Sequence, residues 1–176
     1  TFPVPLDINY SDESGLLSIY AVNTSRTIEA NGKYEDFLVG GTSDIGNDTT
    51  GPTIKLTLNG TEFESKGDSI IVSDIVMHET PFLHATLFDE SGISTTGSGI
   101  GHDICLIIDN DADMTYNLNS YFNNTEGSWK QGTVDFSIPA LSSGSHTLLF
   151  RAWDNFNNPS SITINFEVCE GLEPQI

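Results

Sequence analysis

Three aspartates at alternate positions have the spacing in this chain that most resembles a metal site. Asp109, Asp111 and Asp113 occur in the stretch Asp-Asn-Asp-Ala-Asp. Carboxylates supply the oxygen ligands that calcium prefers. The helix-flanked calcium loop also needs glycine at its sixth position and glutamate at its twelfth, where this chain has Met114 and Ser120. Two interpretations therefore stay open: a weak calcium site, or an acidic hairpin turn that faces solvent. No other cofactor is predicted.

Three further aspartates lie at the ends of predicted strands. For Asp89, Asp103 and Asp154, an Asx-turn or a backbone cap explains the residue type without a metal ion.

His102 and Cys105 contain the side chains of a cysteine nucleophile and its base. Residues three apart on a strand point to opposite faces, so they could share a proton only if His102 belonged to a loop. The spacing favours a turn histidine beside a packed thiol. The preceding run Gly97-Ser-Gly-Ile-Gly resembles a dinucleotide-binding loop only superficially. That fingerprint requires glycine where this chain has His102, and it requires a helix where a strand is predicted here.

Arg151 and Trp153 lie two apart on a predicted strand and therefore share one face of it. A guanidinium stacked on the indole is the packing interpretation. An aromatic platform for sugars is the functional alternative.

Alternating apolar residues predict the strands that must position these side chains. The pattern recurs in six segments of the second part of the chain: Ile54–Leu58, Leu83–Leu87, Ile104–Ile108, Val134–Ile138, Leu148–Ala152 and Ile162–Val168. No helical stripe persists between them. We therefore expect an all-β fold, an immunoglobulin-like antiparallel β-sandwich over residues 51–170, which would bury a core without leaving a catalytic pocket.

The first 50 residues predict a small β module. A strand is expected over Leu16–Val22, turns at 11–15 and at Asn31-Gly32, and a short apolar run at 37–41. Counting a short, proline-interrupted segment at 2–10, the module has three short strands, which are few for an independent core, so it is expected to depend on the following domain or on strands upstream. Residues 42–50 and 171–176 have the composition of linkers.

The formal net charge of −19 excludes classes of partner. A chain so acidic has no basic stripe for nucleic acid or for an anionic membrane surface. No apolar stretch is long enough to span a bilayer, so no membrane insertion is expected. Cys105 and Cys169 form no metal or redox pair, and they are compatible with a disulfide in an oxidising compartment or with two free thiols.

Two motifs resemble paired elements of bacterial immunoglobulin-like domains: Phe88-Asp-Glu-Ser-Gly-Ile and Gly144-Ser-His-Thr-Leu-Leu-Phe-Arg-Ala-Trp-Asp-Asn-Phe-Asn-Asn. A longer run, from Gly51-Pro-Thr-Ile through Gly99-Ile-Gly-His-Asp-Ile to Phe150-Arg-Ala-Trp-Asp, resembles a region of a peptidase family. These are the gingipain-related surface peptidases of the type IX secretion system in Bacteroidota, and the similar region precedes their C-terminal sorting domain. Val4-Pro-Leu-Asp-Ile and Asp36-Phe-Leu-Val-Gly-Gly extend the likeness to nearly the whole chain.

This resemblance implies an exported protein at the outer membrane, on the cell surface. The family's cysteine peptidases act as sortases and carry their Cys/His dyad in an upstream domain. No position of this chain matches that dyad, and Cys105 stands where relatives tend to have an apolar residue. The expected function is thus a non-catalytic, monomeric spacer and interaction module. Its expected partners are its own catalytic domain and components of the secretion system. A carbohydrate- or calcium-binding sandwich module is the alternative.

Overall fold

We describe the fold from a computed structural model that covers residues 15–37, 48–66, 68–95 and 101–172. The chain divides into two compact units, residues 1–47 and 48–176. The predicted apolar run at 38–41, most of the linker at 42–50, the glycine-rich residues 96–100 and the end of the chain at 173–176 lie outside the described residues.

The first unit contains an antiparallel hairpin of β1 (Gly15–Val22) and β2 (Glu29–Phe37). The side chain of Asn23 accepts hydrogen bonds from the backbone N–H groups of Thr27 and Ile28, which fixes the turn between the strands. The turn predicted at Asn31-Gly32 is wrong, because both residues pair with β1 inside the strand. The strand predicted over Leu16–Val22 is confirmed.

The second unit is a two-layer β-sandwich, which confirms the predicted fold class. Within the described residues it has two five-stranded sheets, in the orders β4-β3-β6-β10-β9 and β5-β12-β11-β7-β8. The strand bounds are β3 Thr53–Leu58, β4 Thr61–Lys66, β5 Asp68–Met77, β6 Phe82–Phe88, β7 Cys105–Ile108, β8 Thr115–Asn117, β9 Phe122–Asn124, β10 Gln131–Ser137, β11 Gly144–Trp153 and β12 Pro159–Val168. Two single 3-10 turns, Ala112–Met114 and Asn119–Tyr121, flank β8.

The strand order matches the immunoglobulin arrangement of an A-B-E-D sheet packed on a C-F-G sheet. In that correspondence β3, β6, β10 and β9 are A, B, E and D, and β7, β11 and β12 are C, F and G. One pair departs from the antiparallel pattern, because β5 runs parallel to β12. The chain changes sheets between β4 and β5, with a single residue between them, so β5 reaches the edge of the second sheet without a hairpin.

The core lies between the two sheets and follows the predicted alternation. Ile54, Leu56, Leu58 and their counterparts on the facing strands are fully buried and form one continuous cluster. Each fully buried Leu, Ile or Phe contributes about 1.5–3 kcal/mol of transfer free energy. None of the described helices is long and apolar enough to cross a membrane.

Two tight turns use left-handed backbone conformations. Asn59 and Gly60, with φ of 44° and 84°, join β3 to β4. Asp109 and Asn110, each with φ of 53°, follow β7. Both pairs have positive φ at two successive residues, which Asn, Asp and Gly tolerate best. Asn59 and Gly60 form a two-residue hairpin loop, whereas Asp109 and Asn110 begin a longer connection to β8.

Candidate functional site

The two motifs that carry the resemblance meet in space. The turn after β6 contains Ser91, Gly92 and Ile93, and it lies against the turn after β11. The backbone N–H of Ser94 donates to the carbonyl oxygen of Trp153 at 2.8 Å, and that of Asn155 donates to Gly92 at 3.1 Å. Segments about 60 residues apart in sequence therefore form one junction between the sheets.

Gly92 is the residue that permits this close approach. Its φ of 84° is a conformation that side-chain-bearing residues rarely adopt. A Cβ atom there would lie 2.8 Å from the side-chain nitrogen of Asn155 and 2.9 Å from the Trp129 ring. The glycine of the Asp-x-Ser-Gly-Ile motif is thus required by both conformation and space.

Asp154 is the buried centre of the junction and has no solvent exposure. Its Oδ1 accepts hydrogen bonds from the backbone N–H groups of Phe156, at 2.8 Å, and Asn158, at 2.7 Å. Its Oδ2 accepts from Nδ2 of Asn158 at 2.7 Å. The Asx-turn predicted for this residue is confirmed, and it organises the turn that precedes β12.

Asp89 and Ser91 form the other half of the junction. Asp89 Oδ1 accepts hydrogen bonds from both the backbone N–H, at 2.8 Å, and the hydroxyl of Ser91. That hydroxyl also lies 2.8 Å from Asp48 Oδ2 and 3.5 Å from Asp154 Oδ2. Because a hydroxyl has one proton, Ser91 can donate to one of the three carboxylates at a time.

Asp48, Asp89 and Asp154 make up the group that we call the acidic junction. One carboxylate oxygen from each lies within 4.8 Å of the others, and no other set in the described part of the chain meets this criterion. Burial raises the pKa of Asp89; hydrogen bonds from Ser91 oppose that shift, and the charges of Asp154 and Asp48 add to it. Such a group has the chemistry to hold a hard cation or to retain a proton.

The aspartates predicted to bind calcium lie elsewhere and are engaged separately. Asp109 Oδ1 accepts a hydrogen bond from the backbone N–H of Thr147 at 2.8 Å, and its Oδ2 lies 2.7 Å from Nδ1 of His146. Asp111 accepts from the backbone N–H of Asp113 at 2.9 Å and caps the 3-10 turn. The carboxylate oxygens of these three aspartates do not all lie within 4.8 Å of one another, so calcium binding there stays a prediction.

His102 and Cys105 make separate contacts. The His102 ring stacks on Trp153 with centroids 4.1 Å apart, and its Nδ1 lies 3.1 Å from the side-chain oxygen of Asn157. Burial raises the pKa of Cys105, and the neighbouring Arg151 partly offsets this. Both features agree with a turn histidine beside a packed thiol. Cys105 and Cys169 are both free.

Arg151 has the predicted partner, whereas Asp103 bonds to a side chain in place of the predicted Asx-turn or backbone cap. The Arg151 guanidinium lies 5.8 Å from the centroid of the Trp153 ring, as the packing interpretation requires. Asp103 accepts a hydrogen bond from Nδ2 of Asn119 at 2.6 Å, and Oδ1 of Asn119 accepts from the backbone N–H of Ile104 at 2.8 Å. Asp103 therefore supports the start of β7 through a side chain.

Asp48 is the site residue that sequence reasoning missed. It lies in a segment with linker composition, and nothing in its neighbours points to Asp89 or Asp154. The sequence marks Asp89 and Asp154 as strand-end aspartates. Each lies in one of the two motifs that resemble paired elements, and this pairing is the sequence signal for their proximity.

The fold and the junction define an immunoglobulin-type β-sandwich. No family model and no curated protein matches the sequence. Among solved structures, the chain is similar to dimeric latent PorU from Porphyromonas gingivalis, with 41% identity and a TM-score of 0.64. The match covers 97% of this chain and 15% of that chain, so the chain is similar to one region of PorU and spans a small part of that protein's length.

Two other solved structures show lower similarity. An endo-β-1,4-mannanase from Thermotoga petrophila has 12% identity and a TM-score of 0.39, covering 78% of this chain and 27% of its own. The Bacteroides ovatus mixed-linkage glucan utilization locus protein SGBP-B, solved with a mixed-linkage heptasaccharide, has 11% identity and a TM-score of 0.26, covering 93% and 56%. Likenesses this low carry no functional argument.

Proposed function

We propose that this chain is a non-catalytic β-sandwich region of a PorU-like cell-surface cysteine peptidase and sortase of the type IX secretion system. It acts as a spacer and interaction module. The observation that carries the proposal is the 41% identity to PorU over 97% of the chain. Its partners are the catalytic domain of the same polypeptide and components of the secretion system, and its location is the outer surface of the cell.

The packing of the sandwich supports a mechanical role. The core strands bury their apolar residues against one another, and Cys105, whose pKa is raised by burial, is a poor nucleophile. A sandwich of this kind is a stiff unit that can hold two other domains apart. Peptidase chemistry then belongs to a different part of the longer protein.

A domain exchange in the full-length protein separates spacer from interaction module. Residues 48–172 are replaced by an unrelated immunoglobulin-like sandwich of similar length. Retained surface attachment of cargo proteins is expected for a spacer, and loss of attachment with unchanged peptidase activity in vitro is expected for an interaction module. Loss of peptidase activity in the exchanged protein contradicts both roles.

Cys105→Ala in the full-length protein tests the non-catalytic assignment directly. We expect peptidase activity to stay within twofold of wild type, because the thiol is buried and has no histidine partner among the described residues. A loss of activity in a variant with an unchanged melting temperature would refute the assignment.

Calcium binding is the second candidate function, and the observation that favours it is the acidic junction. Three carboxylates share a small volume, and two of them are buried. Among the described residues, no Lys or Arg forms an ion pair with Asp89 or Asp154. Burial is the main cause of the raised pKa of Asp89, and a divalent cation would relieve the repulsion from Asp154 and Asp48 that adds to it. Extracellular calcium modules bind with dissociation constants of about 0.1–1 mM.

A calcium titration distinguishes the two acidic sites. Chelator-treated protein is melted at increasing calcium concentration, with Asp89→Asn and Asp113→Asn as matched single-charge variants. If the acidic junction binds calcium, the melting temperature of wild type and Asp113→Asn rises and that of Asp89→Asn does not. The reverse pattern assigns binding to Asp109, Asp111 and Asp113. An unchanged melting temperature in all three proteins excludes calcium binding.

A further inference from the structure

Trp129 places a large aromatic ring on the surface of the sandwich, with 62% of the residue exposed to solvent. It lies in the turn between β9 and β10, where the other residues, from Thr125 to Lys130, are polar or glycine. By contrast, the ring of Trp153 is covered by His102, with the two ring centroids 4.1 Å apart. Trp129 is therefore the indole that a ligand can reach.

The fold holds this exposed ring in place. A Cβ atom on Gly92 would lie 2.9 Å from the Trp129 ring, so the indole packs against a residue that has no side chain. The backbone N–H of Asp89 donates to the carbonyl oxygen of Lys130 at 2.9 Å, which ties the end of the turn to the acidic junction. Because the ring is already positioned, a ligand that stacks on it pays little of the ordering cost of binding.

Side chains near the ring offer both hydrogen-bond donors and acceptors. The Lys130 ammonium lies 5.4 Å from the centroid of the Trp129 ring and pairs with the carboxylate of Glu90. Nδ2 of Asn155 lies within about 6 Å of the same ring, because the two are 2.8 Å and 2.9 Å from the Cβ position of Gly92. That Nδ2 donates to a backbone carbonyl, and among the described residues Oδ1 of Asn155 accepts no hydrogen bond.

We propose that Trp129, Lys130, Glu90 and Asn155 form a binding site for one pyranose ring of a neutral oligosaccharide. The face of a pyranose presents C–H groups with small positive charges, which match the negative face of the indole. Its hydroxyl groups both donate and accept, as the mixed set of polar groups beside the ring requires. This site is separate from the spacer role proposed above, so a failed binding test and a failed domain exchange are distinguishable.

Three other classes of ligand fit this surface less well. An anionic group would approach against the field of a chain with net charge −19. A cationic group would meet the Lys130 ammonium, which already lies near the ring. An apolar protein surface would have to bury the charged and polar side chains of the turn, whereas the cores of protein interfaces are depleted in charged residues. A neutral sugar incurs none of these costs.

The indole N–H of Trp129 provides a direct readout. The full 176-residue chain is labelled with nitrogen-15 and titrated separately with cellohexaose, mannohexaose and maltohexaose. We expect at least one of them to shift the Trp129 indole resonance in a saturable manner. Sorbitol at the same hydroxyl concentration has no ring face and should cause no shift. The indole resonance of the covered Trp153 should stay in place and serves as the internal control.

Outcomes that contradict the proposal are equally specific. An absence of shifts with all three oligosaccharides, or an equal shift with sorbitol, overturns it. A shift with a capped trilysine or triglutamate peptide, but with none of the oligosaccharides, assigns the surface to a charged ligand and also overturns it. These measurements use the wild-type chain, so they do not depend on a variant that folds.

Variants then test the role of the aromatic ring, with binding measured by calorimetry. Trp129→Leu keeps an apolar side chain but removes the ring, so we expect about tenfold weaker binding of the oligosaccharide that shifts the wild type. Tyr20→Leu changes another aromatic residue that is 62% exposed and should keep the wild-type affinity. Each variant is accepted only if its backbone amide spectrum matches that of wild type. Unchanged affinity in a folded Trp129→Leu, or an equal loss in Tyr20→Leu, refutes the proposal.

Discussion

At the scale of single residues, Asp154 shows how one buried carboxylate organises a turn. It accepts hydrogen bonds from two backbone N–H groups and from the Asn158 amide, with no exposure to water. Its charge is therefore compensated by donors, whereas nearby Asp89 and Asp48 add repulsion. The residue contributes to structure whether or not the junction holds a cation.

We predict that Asp154→Ala destabilises the protein by about 1–3 kcal/mol for each buried donor that it leaves unpaired. Asp154→Asn keeps an acceptor for the Phe156 and Asn158 backbone groups and should cost less. Urea unfolding of both variants gives the comparison. If Asp154→Ala and Asp154→Asn lose the same unfolding free energy, the hydrogen bonds to the Phe156 and Asn158 backbone are not the source of the destabilisation.

His146 is a second residue whose surroundings decide its charge. Its Nδ1 lies 2.7 Å from Asp109 Oδ2, and its Nε2 lies 2.8 Å from the carbonyl oxygen of Ser142. Both partners only accept, so both ring nitrogens must carry protons, as in the imidazolium form. Burial lowers the pKa of His146, but the bonds to Ser142 and Asp109 and the charges of Asp109 and Glu167 outweigh it, and the net pKa is raised.

The sign of the resulting pH dependence follows from that raised pKa. A histidine with a raised pKa contributes stability that is fully present below about pH 6.5, the unfolded value, and is lost as the pH rises through the folded pKa. We expect His146→Gln to remove part of the loss of stability between pH 5.5 and 8.5. A His146→Gln protein with the wild-type pH profile would contradict this.

At the scale of elements, strand β7 depends on alternation. Leu106 is fully buried between the sheets, and its neighbour Ile107 points to the outer face and is partly exposed. We predict that Leu106→Ala costs about 2–5 kcal/mol, because it leaves a cavity in a close-packed core. Ile19→Ala in β1, where the side chain is 58% exposed, is the matched control and should cost far less. Chemical unfolding measures both.

The turn after β6 depends on the glycine within it. We predict that Gly92→Ala destabilises the sandwich by about 1–3 kcal/mol, since alanine at φ 84° is strained and its Cβ would press on Asn155 and Trp129. Gly127→Ala, also at positive φ but with open space around the Cβ position, separates the two causes. If Gly92→Ala loses no more unfolding free energy than Gly127→Ala, crowding around the Cβ position of residue 92 does not contribute.

At the scale of the whole molecule, charge is the dominant property. A net charge of −19 produces self-repulsion in the compact state. We expect sodium chloride between about 10 and 500 mM to raise the melting temperature, because the Debye length falls from about 30 Å to only a few ångströms over that range. A melting temperature that is constant or falls with salt would show that specific ion pairs outweigh the repulsion.

Much of the sandwich could be predicted from the sequence because strand alternation is a local signal. Leu83, Ala85 and Leu87 are buried as their spacing predicted, and so are Ile162, Ile164 and Phe166. Strands β4 and β5 gave no such clear pattern. The turn at Asn31-Gly32 was wrongly predicted because turn residues are also tolerated within strands, and the side-chain cap of Asn23 decided where the hairpin turns.

The sequence by itself determined the all-β class, the faces of the main strands and the likeness to a PorU-type region. Side-chain polarity along a strand fixes these properties residue by residue, without knowledge of distant partners. Tertiary structure alone decided that Asp48 joins Asp89 and Asp154 and that β5 runs parallel to β12. Each of these depends on how two sheets bring distant segments together, and local spacing does not encode such distances.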